Sequence, residues 1–118
     1  MGMSILPPIP FPGSAPGAGP AVIAFHRTEL SPILALYGRM VAAGEWRDYG
    51  ISHGPEVAVF AIFRRTSENP LYRIEKRPAL RLKQGQFAVI GAEGQVLRRG
   101  HDLGQVLRVI APKPKLVE

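Results

Sequence analysis

The stretch Leu36-Tyr37-Gly38-Arg39-Met40-Val41-Ala42-Ala43-Gly44-Glu45-Trp46-Arg47-Asp48-Tyr49 decides the fold, because within it a helical period gives way to an aromatic strand. The apolar residues Ile33, Leu36, Tyr37, Met40 and Val41 recur at three- and four-residue spacing and so form one helical stripe that faces the core. Ser31-Pro32 supplies a start for that helix, serine as N-cap and proline at the first position, where its missing N–H costs nothing; Thr28 with Glu29 offers a competing start. Gly44 stands where a left-handed cap ends a helix. Residues 46–52 then read as a strand with aromatic and apolar residues on both faces.

Working outward, residues 21–26 read as a short apolar strand, and His53-Gly54-Pro55-Glu56 as turn chemistry. Residues 57–63, Val-Ala-Val-Phe-Ala-Ile-Phe, are apolar on both faces, a pattern that leans toward cover on both sides of the sheet. Thr66-Ser67-Glu68-Asn69-Pro70 returns the chain antiparallel into a half-exposed strand over residues 71–76. Gln84-Gly85 marks another turn, and Glu93-Gly94 folds residues 86–91 tightly against residues 95–99. Asp102 with Gln105 resembles a capping box, opening a helix whose buried stripe is Leu103, Val106, Leu107 and Ile110; Pro112 and Pro114 end it. The fold class is therefore α+β: a mostly antiparallel sheet of about five to six strands joined by short links, with one early and one C-terminal helix.

Length allows one domain, residues 21–111, between a Pro/Gly-rich arm (residues 1–20, with Pro7, Pro8, Pro10, Pro12, Pro16 and Pro20) and a basic tail (residues 112–118). The arm lacks the basic residues followed by an apolar core that a secretory signal requires, and no run approaches the eighteen or so apolar residues of a membrane span, so the expected location is the cytoplasm, away from membranes. Zero cysteines remove disulfides and thiolate chemistry. The net charge of +6 is uneven: residues 1–63 hold three Lys/Arg against four Asp/Glu, whereas residues 64–118 hold twelve against five. Such a field attracts anions, nucleic acid and acidic protein surfaces.

Three strings carry a family resemblance: residues 36–49, residues 63–76 from Phe63 through Arg64-Arg65-Thr66 to Lys76, and Arg99-Gly100-His101-Asp102-Leu103 with Val106-Leu107-Arg108. Over about residues 25–110 the chain resembles the uncharacterised bacterial family catalogued as domain of unknown function 2794. The resemblance implies a small cytoplasmic protein and brings no activity, cofactor or site residue with it. The long arm and the short turn at residues 53–56 depart from the family pattern.

The remaining chemistry is sparse. His26, His53 and His101 are scattered without cysteines or a His-x-His or His-x-x-x-His pair, so no metal and no cofactor is expected. Glu45 and Asp48 form a carboxylate pair of the kind that divides acid and base tasks, but Arg39 and Arg47 beside them account for the same residues by ion pairing. Seryl-nucleophile and phosphate-loop motifs are missing from the sequence. Two surfaces stand out. Arg64, Arg65, Arg73, Lys76, Arg77, Arg98 and Arg99 sit at strand ends and turns among Phe63 and Tyr72, a ridge suited to anions or single-stranded nucleic acid if those ends converge. On the helix, Ala35, Gly38, Arg39 and Ala42 form a side nearly free of bulk. A helix-interior glycine costs about 1 kcal/mol relative to alanine and is commonly offset by close approach of another backbone, either of the same chain or of a second subunit. The readings in order are a non-enzymatic binding or regulatory module acting by protein–protein contact, with a homodimer or another protein as partner; nucleic-acid binding through the basic strand ends; and an enzyme of unrecognised type.

Overall fold

The computed structural model describes residues 22–65 and 69–112. The Pro/Gly arm, Thr66, Ser67 and Glu68 of the expected turn, and most of the basic tail lie outside the described residues. Helix α1 (Arg27–Ala42) is followed by strands β1 (Asp48–His53), β2 (Ala58–Phe63), β3 (Tyr72–Lys76), β4 (Phe87–Gly91) and β5 (Val96–Gly100), then by the short helix α2 (Leu103–Leu107). The five strands form one antiparallel sheet in chain order, β1-β2-β3-β4-β5. Links of ten residues or fewer favour this meander, in which each strand pairs with the one just made.

Both ends of α1 are fixed by backbone chemistry. The Glu29 carboxylate reaches back to accept the His26 N–H at 2.7 Å, so the helix opens with His26 as its N-cap, ahead of both the Ser31-Pro32 and the Thr28-Glu29 starts. Pro32 consequently lies inside the helix. At the far end Gly44, at φ +79°, closes a Schellman motif: its N–H donates to Val41 O at 2.9 Å and the next N–H, of Glu45, to Met40 O at 2.9 Å. At the other terminus Asp102 accepts the Gln105 N–H at 3.0 Å and so caps α2, as the sequence suggests. Hydrogen-bonded turns carry the chain on to Ile110 beyond α2.

Two expectations need correction. Of the expected strand at residues 21–26, the described residues 22–26 form none; Ile23 alone makes a bridge, donating to Gly54 O at 2.7 Å. The lean toward a second covering layer over residues 57–63 is also overturned among the described residues, because both helices lie on one face. Ile33 and Leu36 of α1 and Leu103, Val106 and Leu107 of α2 share a single core with Ala58, Phe60, Ile62, Ile74, Phe87 and Val89. Register explains the other face. Across the sheet it presents Val59, Glu75, Ala88 and Arg99 in one row and Ala61, Arg73, Ile90 and Val96 in the next. Ala88 is fully buried there, between Glu75 and Arg99, and Ile90 nearly so, between Arg73 and Val96. The aliphatic stems of arginine and glutamate are the roof that a helix provides on the other side.

Candidate functional site

The basic residues divide between faces and ends. Strand alternation puts Arg73, Arg77 and Arg99 on the helix-free face and Arg98, opposite Val89, on the helix side. Arg64 and Arg65 line a recess with Val41, Gly44, Trp46 and Arg47 past the end of β2. Lys76 and Arg77 follow at the opposite end of the sheet, since β3 runs antiparallel to β2. Several are engaged within the chain: Arg77 lies 3.6 Å from Glu75 and 3.9 Å from Glu56, Arg64 lies 3.9 Å from Glu45, and Arg99 donates to Gly85 O at 3.4 Å. No single ridge gathers the seven.

Lys76 has a role that its place in a strand-end basic run did not reveal. It is buried, and its ammonium donates to Ala24 O at 2.9 Å and to Glu29 Oε1 at 2.8 Å. The same Glu29 oxygen accepts the His26 N–H, so one carboxylate and one ammonium pin the entry of α1 onto β3. A recess of about 420 Å³ lies alongside, lined by residues 22–26 with Lys76 and Pro78. The signal available in sequence was alternation, because Tyr72, Ile74 and Lys76 share the core face, and a lysine there must find a carboxylate.

The carboxylate pair does not converge. Glu45 faces Arg64 with both side chains more than half exposed, and Asp48 Oδ1 accepts the Tyr49 N–H at 2.8 Å. The recess beside them is lined by no histidine. Among the described residues no group of three His, Asp or Glu is placed to hold a metal ion, and no helix is long and apolar enough to cross a membrane.

Ala35, Gly38, Arg39 and Ala42 lie on the outer side of α1, all exposed. A Cβ on Gly38 meets nothing within 4 Å, so the version in which a strand or loop of the same chain presses on this glycine is not realised among the described residues. Leu34, Gly38 and Val41, at spacings of four and three, share the flank next to Tyr37; Leu34 and Val41 are exposed, so Val41 lies outside the core-facing stripe that its spacing predicts. Tyr37 joins that flank to β1: its ring meets Tyr49 edge-on at 4.9 Å, and Tyr49 stacks on Phe60 at 4.8 Å. Desolvation, then the negative charge of Asp48 and, last, Coulomb coupling to the neighbouring Tyr49 phenol hold the Tyr37 phenol above its ordinary value.

This places a feature that sequence reasoning missed. Tyr49 and Ile51 are on the helix side of β1, by register with Ile62 and Phe60, yet they are 42% and 41% exposed. They project at the free edge of the sheet. The sequence reading divides Tyr49 and Ile51 between the two faces of the strand, whereas register puts both on the helix side, and only the strand order shows that β1 is an edge.

No curated protein and no solved structure matches the chain. The family model described as protein of unknown function (DUF2794) matches residues 23–107, from the bridge at Ile23 to the last residue of α2. That match takes in every strand and both helices in full, and the chain belongs to this family of unknown function.

Proposed function

We propose that the protein is a small non-enzymatic binding module that works by protein–protein contact through the β1 edge and the adjoining flank of α1. The observation that carries this reading is the exposure of Tyr49 and Ile51 on an edge strand whose sequence, Asp-Tyr-Gly-Ile-Ser-His, contains no lysine, arginine or proline. Natural sheets blunt their free edges with such residues or with bulges, because an unblunted edge pairs with other chains. Tyr49 is held between Tyr37 and Phe60 and loses little side-chain freedom on binding, which is the character of an anchoring residue. The division of the basic residues between two faces, and the engagement of Lys76, Arg77 and Arg64 with carboxylates, support ranking protein contact ahead of nucleic acid. The separate engagement of Glu45 and Asp48 supports ranking catalysis last.

A photo-crosslinking amino acid placed at Ile51, with the same group at Val96 on β5 as the control, tests the reading in cells. The expected result is a discrete protein adduct at position 51 and none at position 96. Equal adducts at both sites, or none at either, would refute it.

A further inference from the structure

Building on that reading, we infer that the occupant of the β1 edge is a second copy of this chain, paired antiparallel so that two five-stranded sheets join into one. Four observations converge on it. The first is the difference between the two edges. β5 carries Arg98 and Arg99, and its ladder with β4 is broken by an irregularity between Val89 and Ile90. Antiparallel self-pairing of β5 about its centre would bring these arginines together, so like charge opposes it. β1 has no such residue.

The second is charge. A protein of net +6 repels its copies, and the repulsion is least where the surface is least basic. The half of the chain that builds α1 and β1 holds three Lys/Arg against four Asp/Glu, and β1 itself holds one aspartate and no Lys or Arg.

The third is geometry. The N–H of Tyr49 is taken by the Asp48 carboxylate, which marks Tyr49 as turned away from β2, and alternation turns Ile51 the same way. If Tyr49 of one copy exchanges hydrogen bonds with Ile51 of the other, the two-fold axis falls on Gly50. Each copy then sets an exposed aromatic directly opposite an exposed β-branched residue, twice, which is a favoured cross-strand pair. Asp48 comes opposite Ser52, so the two carboxylates do not meet. The Asp48 contact guards one donor only, and this pairing displaces it.

The fourth is the helix flank. Leu34, Gly38 and Val41 lie beside Tyr37, with open space over Gly38. A missing side chain there gives the incoming copy room next to the extended sheet. The edge is six residues long, so the contact is at the small end of stable interfaces and belongs in the micromolar range.

Sedimentation equilibrium of the purified full chain from 5 to 300 µM, run beside Ile51→Lys, with hydrogen exchange of the β1 amides, is the test. The expected result is a monomer–dimer equilibrium for the wild type, slowed exchange at Tyr49 and Ile51 that grows with concentration, and a folded, monomeric variant at least tenfold weaker in association. A wild type monomeric throughout, with β1 amides exchanging freely, overturns self-pairing but leaves the edge open to another protein. A monomer whose β1 amides are protected at every concentration overturns both readings, since another part of the chain then occupies the edge. A dimer unchanged by Ile51→Lys places the interface elsewhere and also overturns the inference.

Discussion

The two edges of this sheet are built on opposite terms. The β5 edge also exposes apolar residues, Val96 at 53% and Leu97 at 37%, but it sets Arg98 and Arg99 beside them, Arg99 reaches Gly85 O, and Gly85, at φ +108°, is buried with the Gly100 backbone in the space that a Cβ would take. At the β1 edge the strand is exposed from Tyr49 to His53, and Tyr49 and Ile51 project beside α1. The difference teaches that the chain guards one edge at the cost of sequence freedom and leaves the other available. Arginines, a ladder irregularity and a close glycine contact at β5 all restrict what can sit there, and β1 has none of the three.

A matched pair of glycine substitutions sharpens the contrast most strongly. A Cβ on Gly85 would overlap the Gly100 backbone, and its φ is one that side chains rarely adopt, so Gly85→Ala is expected to destabilise by about 3 kcal/mol or more in chemical denaturation. Gly50→Ala meets nothing within 4 Å and is expected to gain about 0.5 kcal/mol from reduced unfolded-state freedom in a strand. Equal costs at the two sites would erase the difference between the edges.

Lys76→Met comes next. It leaves the Glu29 carboxylate and Ala24 O without their partner in a largely buried setting, at an expected cost of about 3 kcal/mol. Because this pair pins the start of α1, hydrogen exchange should rise in α1 and β1 before it rises in α2 and β5. A uniform rise would show that the ion pair does not act on the β1 side in particular. Gly38→Ala is smaller and of opposite sign. With open space over the glycine, the helix should gain about 1 kcal/mol as a monomer, and loss of self-association in the same variant would mark Gly38 as part of the contact.

The smallest effect is at alkaline pH. The folded state raises the Tyr37 phenol above its ordinary value of 10.0, so between about pH 10 and the folded value the native state holds a proton that the unfolded chain has released. Stability therefore falls as pH rises through that window, and Tyr37→Phe should flatten the fall measured by denaturation at pH 9 and pH 11. An identical slope in both proteins would remove Tyr37 from the account.

Much of the fold was legible because local chemistry and global arrangement agree. The Ile33, Leu36, Tyr37 and Met40 stripe, the Gly44 stop, and the Asp102 cap each name an element and its end, and short links dictate the meander. Misreadings arose where a residue's partner is distant in sequence. Ser31-Pro32 reads as a helix start, but Glu29 has His26 and Lys76 to hold, and the helix opens with His26 as its N-cap, more than a turn earlier. Residues 57–63 looked doubly covered because arginine stems on neighbouring strands cannot be seen from β2 alone. The candidate site was the least legible part. Tyr49 and Ile51 read as ordinary strand residues until strand order made β1 an edge, and no local pattern encodes strand order.

The chain has no cysteine, which makes single-cysteine variants clean probes of proximity. In the paired edge, position 50 meets its own copy across the axis at about 4.5 Å between Cα atoms, within the range a disulfide spans. Mild oxidation of Gly50→Cys and, separately, Val96→Cys on β5 therefore tests the β1 edge as the contact surface between copies. Rapid disulfide-linked dimer for Gly50→Cys and little for Val96→Cys is the predicted result, and equal linkage at both edges, or faster linkage at Val96→Cys, would contradict it.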